Sequence, residues 1–196
     1  DQGMGLSISY NNAISQLWGI FDYSKLRIDT YTNQKIGPFV LYGRGQYEAV
    51  SGNFPNQETP AIVDIPNYYL MGTNTPGREY MSPRGFSGSP RLGNRAFMGT
   101  IEFRAPILAV DFLELLKIIK LGSPTFALVS DFGDAWDSKL NIKKSVITYG
   151  FEFRTAFKIA NMPVIILGYG FAQKPSLWSK QISPDSYLKM TLINPF

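Results

Sequence analysis

Apolar and polar residues alternate along most of this chain with a period of two. In 95–104, Phe97, Gly99, Ile101 and Phe103 fall on one side and Met98, Thr100, Glu102 and Arg104 on the other. In 145–154, Ile147, Tyr149, Phe151 and Phe153 alternate with Thr148, Gly150, Glu152 and Arg154. Tyr42, Arg44, Gln46 and Glu48 oppose Phe39, Leu41 and Tyr47. Segment 163–171 sets Ile165, Leu167, Tyr169 and Phe171 against Ile166, Gly168 and Gly170. Successive side chains of a strand point to opposite faces, so these patterns predict strands. Strands are expected near 5–10, 17–32, 38–50, 62–73, 95–106, 124–133, 145–157, 163–172 and 187–194, the first and fourth having the weakest patterns. Turn residues fall between them: Asn11-Asn12, Gly37-Pro38, Ser51-Gly52-Asn53, Asp137-Ser138 and Ser183-Pro184-Asp185. In 109–119, Phe112, Leu115, Leu116 and Ile119 suit either a short interfacial amphipathic helix or a hydrophobic turn.

Soluble sheets alternate as well, so alternation does not decide the environment. The apolar face here is heavily aromatic, and the segments approach the roughly 9–11 residues of a tilted membrane strand. The polar face mixes charges of both signs with glycine, which suits a wet lumen better than a packed core. Composition moves the picture the same way. Only 17% of the residues are charged, against roughly a quarter in soluble domains. Aromatics reach 14%, the residues that build barrel strands and girdles. No apolar run approaches the roughly 20 residues of a membrane helix, so a membrane reading is a barrel reading. Trp18, Trp136 and Trp178 near expected strand ends fit a girdle or loop anchors. The net charge of +4 fits anionic lipid, a basic lumen or an ordinary surface.

The chain has no cysteine and no histidine. Disulfides, thiol chemistry, the commonest general base and the commonest zinc ligand are therefore excluded. Asp131 and Asp134 lack such companions, and a strand would point them to opposite faces. Gly43-Arg44-Gly45 has no phosphate-loop context. Arg84, Arg91 and Arg95 form a basic cluster that suits a lumen or lipid-facing role better than nucleic acid, which is not an expected partner. No enzyme activity, metal or cofactor is expected. No leader pattern stands at Asp1, so the chain is expected to be mature or cut from something longer.

One long connection, 73–94, contains Ser82-Pro83-Arg84-Gly85-Phe86-Ser87-Gly88. Downstream come Ile101-Glu102-Phe103-Arg104, then Val129-Ser130-Asp131-Phe132-Gly133, and the chain ends Leu188-Lys189-Met190-Thr191-Leu192-Ile193-Asn194-Pro195-Phe196. Over about residues 70–196 the chain resembles the C-terminal half of the BamA/TamA superfamily of outer-membrane barrels. The resemblance implies a loop tip Arg84, Gly85, Phe86 folded into the lumen. It implies a docking wall carrying Asp131 and Gly133, with Glu102 as a second lumen acid. The family's leading aromatic in that wall strand is replaced by Val129. A closing-strand signal is implied at Leu188, Met190, Leu192 and Phe196, although Leu188, Met190 and Ile193 depart from the family's usual residues. Residues 1–69 read as generic barrel strands.

Physically, an Arg84–Asp131 pair screened from water would be bidentate and directional. Gly85 would allow a sharp turn, and Phe86 would pack on the wall. The plainer alternative is a solvent-facing Arg84-Gly85 dipeptide. A barrel of about eight strands is filled by its own side chains. A docked loop therefore implies further strands, from the same precursor or another chain. A solvent-facing Arg84 leaves room for a small closed barrel.

The expected fold class is all-β: an antiparallel transmembrane β-barrel. One region, 1–196, supplies eight or nine strands as the C-terminal part of a larger barrel, which the resemblance puts at about sixteen strands. The expected location is integral to a bacterial outer membrane, with its lipids as partners. Loops 73–94, 134–144, 173–186 and 33–37 are expected outside, and 51–61, 109–121 and 158–162 in the periplasm. The implied function is non-enzymatic assembly or translocation of outer-membrane proteins. It would work through a lateral seam at 187–194 and the docked loop, with client proteins and periplasmic accessory proteins as partners. The alternatives are a structural barrel anchoring a periplasmic domain or larger complex without insertase activity, and a soluble ligand-binding β-domain.

Overall fold

In a computed structural model of the chain, each long alternating segment is a strand. The structure describes residues 2–14, 20–63, 68–71, 81–86, 89–107, 113–115, 119–141, 145–159, 162–173 and 185–192. For 68–71, 113–115, 119, 159, 162–165, 173 and 185–192 it describes the backbone alone. The long strands are β1 (Gly3–Ala13), β2 (Asp22–Ile36), β3 (Phe39–Asn53), β7 (Arg95–Pro106), β10 (Thr125–Trp136), β11 (Val146–Ile159), β12 (Met162–Gln173) and β13 (Asp185–Leu192). Shorter ones are β4 (Ala61–Ile62), β5 (Tyr68–Met71), β6 (Arg91–Leu92), β8 (Leu113–Leu115) and β9 (Ile119–Leu121).

Among the described residues, eleven strands form one sheet along the path β1-β2-β3-β7-β10-β11-β12-β13-β5, with β9 pairing β11 and β8 pairing β9. A second sheet joins β4 to β6. The long strands pair antiparallel throughout, and β5 joins β13 in parallel. The protein is all-β, and the large sheet is open, with β1 and β5 at its two edges.

Several expectations change. Segment 62–73 is not one strand. Its ends belong to β4 and β5, in different sheets. Pro66 stands between them in the sequence, and proline cannot donate to a ladder. Segment 109–119 contributes strand pieces where a helix or simple turn was expected. Leu113 pairs Leu121, and β9 continues onto β11. Short apolar runs fit either period, so pairing decided. β1 is longer than the weak 5–10 signal, because eleven consecutive pairs with β2 hold its Gly, Ser and Asn positions extended. The edge of β13 is also not bare: Leu188–Thr191 pair with Tyr68–Met71.

Antiparallel order sorts the ends of the long strands into two groups. Ala13, Asp22, Asn53, Arg95, Trp136, Val146, Gln173 and Asp185 lie at one end of the sheet, and Ile36, Phe39, Pro106, Thr125, Ile159 and Met162 at the other. This reverses the expected sides of 33–37 and 51–61. The tight Gly37-Pro38 turn shares its end with Ile159 and Met162.

The two faces of the sheet are inverted relative to a soluble protein. Thr100, Glu102, Asp131, Thr148 and Glu152 are buried, whereas Ile101, Phe103, Leu128, Phe132, Ile147, Tyr149, Phe151, Phe153 and Tyr169 are exposed. Glu102 is 3% accessible and its neighbour Ile101 is 52%. Exposed and half-buried rings pair across strands: Phe126 with Phe153 at 5.2 Å, Phe151 with Phe171 at 5.3 Å, Phe39 with Phe103 at 5.0 Å. Such pairs stabilise neighbouring strands by roughly 0.2–1 kcal/mol each. Ser130, among these residues, donates to the Thr148 carbonyl at 3.1 Å.

On the buried face of the sheet, described residues between β3 and β7 form a small apolar core. Ile62, Met81, Phe86, Ala96 and Val146 pack together, with Met98 and Ala135 against them. Val63 N–H bonds Met81, Gly93 N–H bonds Pro60, and Val50 N–H bonds Asn94, which fastens the connection to the end of the sheet. Ile62 has no accessible surface. Ile62→Ala should therefore lower the unfolding free energy by about 2–5 kcal/mol, the usual cost of such a cavity. Denaturant unfolding measures it.

Candidate functional site

The ladder between β7, β10 and β11 brings three acids into one patch. Asp131 pairs with Thr100 on one side and Thr148 on the other. Glu102 pairs with Val129, and Ala127 lies between Arg104 and Glu152. All three acids fall on the buried face because alternation places them there. The small Ala127 lies beside Glu152, and on β12 a Cβ at Gly168 would collide with the Glu152 carboxylate.

Arg84 fills this patch from the 54–94 connection. Its Nε donates to Asp131 Oδ2 at 2.8 Å and its Nη2 to Oδ1 at 2.6 Å, a bidentate pair. Its backbone N–H also donates to Asp131 Oδ2, at 2.9 Å. Nη1 donates to Glu102 Oε1 at 2.6 Å and to Glu152 Oε2 at 3.4 Å. Thr100 Oγ1 donates to Asp131 Oδ1 at 2.9 Å. The Arg84 residue is 8% accessible and Asp131 1%. Charges so far from water persist only when paired and fully hydrogen-bonded.

Two more arginines complete the cluster. Arg154 donates to Glu102 through Nη1 at 2.8 Å and Nη2 at 2.9 Å, and to Glu152 through Nε at 2.6 Å and Nη2 at 3.1 Å. Arg104 donates to Glu102 Oε2 at 2.7 Å, with its guanidinium 4.2 Å from the Tyr42 ring centroid. Three guanidinium groups thus face three carboxylates. Glu152, Arg154 and Arg104 are the members that motif reading missed. Their alternation put them on the polar face, but only the register shows that they meet.

The other sequence-marked residues fall into place around this centre. Gly85 has φ +65°, and a Cβ there would sit 2.5 Å from the Ala172 carbonyl oxygen, so glycine is required by both conformation and space. Phe86 is buried in the apolar cluster. Gly133 admits Ile62, whose Cδ1 would be 3.1 Å from an added Cβ. Asp134 meets a different arginine from Asp131: Arg91 Nη1 donates to it at 2.9 Å. Trp136 packs edge-on to Phe97 at 5.9 Å. Leu188, Met190 and Leu192 lie on β13, described in backbone alone, and are not part of this cluster. Phe196, Trp18 and Trp178 lie outside the described residues.

On β2 and β3, Asp29 accepts from Arg44 and from Gln46, and Lys25 bridges Glu48 and Glu58. The chemistry of the central cluster is fastening. Each carboxylate is engaged by arginine, and the guanidinium of Arg84 is held on three sides. Among the described residues, no three His, Cys, Asp or Glu side chains are grouped to hold a metal ion.

Arg84→Ala leaves the buried Asp131 carboxylate without its arginine and should cost about 3–5 kcal/mol of stability. Asp131→Ala should cost a similar amount. The double variant should lose much less than the sum, because both substitutions remove one interaction. Unfolding midpoints of the four proteins check this, and additive losses would mean that the two residues act separately.

No known protein-family model matches this chain, and no curated protein matches it.

Proposed function

We propose that this chain is the membrane-embedded part of an outer-membrane protein assembly or translocation barrel, acting without enzymatic chemistry. The observation that carries the reading is the inversion of the sheet. Its charged face is buried and its aromatic face exposed, a burial pattern suited to lipid outside and a polar lumen inside. In water, so broad an apolar surface on a monomer would mark an unmet partner. Bacterial barrels keep longer loops outside and shorter turns in the periplasm. On that rule the end of the sheet with the tight Gly37-Pro38 turn faces the periplasm, and the end with Asn53 and Arg95, between which the chain runs longest, faces outward. Among the described residues nothing pairs with the outer edge of β1, and in this reading further strands cover it, since an open edge is not tolerated in lipid.

Assembly or translocation is favoured over a purely anchoring barrel by the loop tip. Arg84, Gly85 and Phe86 sit on the polar face as the tip of the BamA/TamA superfamily is expected to sit. In this reading the docked loop braces the wall, and the seam lies at β13. There β5 pairs over four residues in parallel, against eight with β12. A longer incoming strand would replace β5 by β-augmentation.

Two measurements test the reading. In cells carrying the intact protein, it should stay with the outer membrane after urea and carbonate washing. Recovery in the soluble fraction would end the barrel reading. Depletion should lower the folded, heat-modifiable forms of other outer-membrane barrels, and normal levels would leave only an anchoring role. Phe151→Arg on the exposed face should cost about 2–4 kcal/mol of stability in lipid if the residue lies near the bilayer midplane, read by urea titration in vesicles.

A further inference from the structure

The wall that receives Arg84 is held together by its own residues. Arg154, on β11, donates four hydrogen bonds to Glu102 and Glu152. Arg104 adds a fifth, to Glu102. Thr100 holds Asp131. None of these contacts involves the 54–94 connection, so all three carboxylates are positioned by partners on β7 and β11.

Charge points the same way. Without Arg84, the wall has the carboxylates of Glu102, Asp131 and Glu152 against the guanidinium groups of Arg104 and Arg154. One negative charge is then unbalanced in a place shielded from water, and one cation completes it. The shape of the vacancy selects the cation. Both Asp131 oxygens accept along one edge of the Arg84 plane, and Glu102 and Glu152 accept at Nη1. A flat fork of donors satisfies these acceptors together, whereas an ammonium, a compact point charge, cannot span them.

We propose that the inner face of β7, β10 and β11 is a guanidinium-binding site, assembled independently of the loop that fills it, with Arg154 as its positioning residue. Its ligand class is the guanidinium cation, supplied in the intact chain by Arg84. This makes the loop tip a tethered ligand. The wall stays ready when the tip leaves, and redocking recovers the same register. The inference rests on the geometry of the cluster and not on the membrane reading, and a soluble chain would end that reading while leaving this one standing.

The test is chemical rescue. The purified intact protein carrying Arg84→Ala is titrated with methylguanidinium and, separately, methylammonium at equal millimolar concentrations, and the unfolding midpoint is followed. Methylguanidinium should raise the midpoint saturably, as a ligand specific to the folded state does. Methylammonium should not, and the unsubstituted protein, its site already occupied, should respond to neither. Adding Arg154→Gln to Arg84→Ala should abolish the rescue. If Arg84→Ala does not fold alone, refolding yield in each cation replaces the midpoint. No saturable response, or equal responses to both cations, would overturn the proposal. A second variant tests the charge balance. Glu152→Gln should lower the midpoint of the unsubstituted protein but raise that of Arg84→Ala, because it removes the unbalanced charge. Lowering in both backgrounds would also overturn the proposal.

Discussion

A guanidinium removed from water is stable only where its donors are met by acceptors already in place, and Arg84 imposes that condition on this structure. Its acceptors come from three neighbouring strands: Glu102 on β7, Asp131 on β10 and Glu152 on β11. Those strands must therefore keep one register. A slip of one residue would turn each acid to the opposite face. The buried cluster is not a large source of net stability, since desolvation of six charged groups offsets much of their attraction. Its effect is to select one alignment of three strands and one position of the loop tip.

The apolar contacts around the tip work with that selection. Phe86 and Ile62 are buried against the sheet, so hydrophobic packing holds the loop there while the ion pairs set where it stops. Gly85 lets the tip approach β12 closely enough for both to happen. A side chain there would force the backbone away from Ala172 and pull Arg84 out of reach of Asp131. Stability and position thus come from different chemistry on adjacent residues.

Arg84, Asp131 and Glu102 were marked by the resemblance to an outer-membrane barrel family, and the structure places all three in one cluster. Glu152 and Arg154 were visible as polar members of an alternating strand, yet nothing local says that a Glu separated by fifty residues from another lies beside it. That proximity follows from β10 lying between β7 and β11. Segment 62–73 looked like a strand because its apolar residues are compatible with one. Its division between two sheets depends on partners distant in the chain.

What the sequence determined by itself is the set of strands and the character of their two faces, because a period-two pattern is a property of neighbouring residues. Long alternating segments point to β3, β7, β11 and β12, and alternation alone sorts the residues on their two sides. Only the tertiary structure decided strand order, the ends at which the connections lie, the covering of β13 by β5, and the convergence of three arginines on three acids. Each of these depends on contacts between segments far apart in the chain, where no local preference acts and where register and burial alone select the partner.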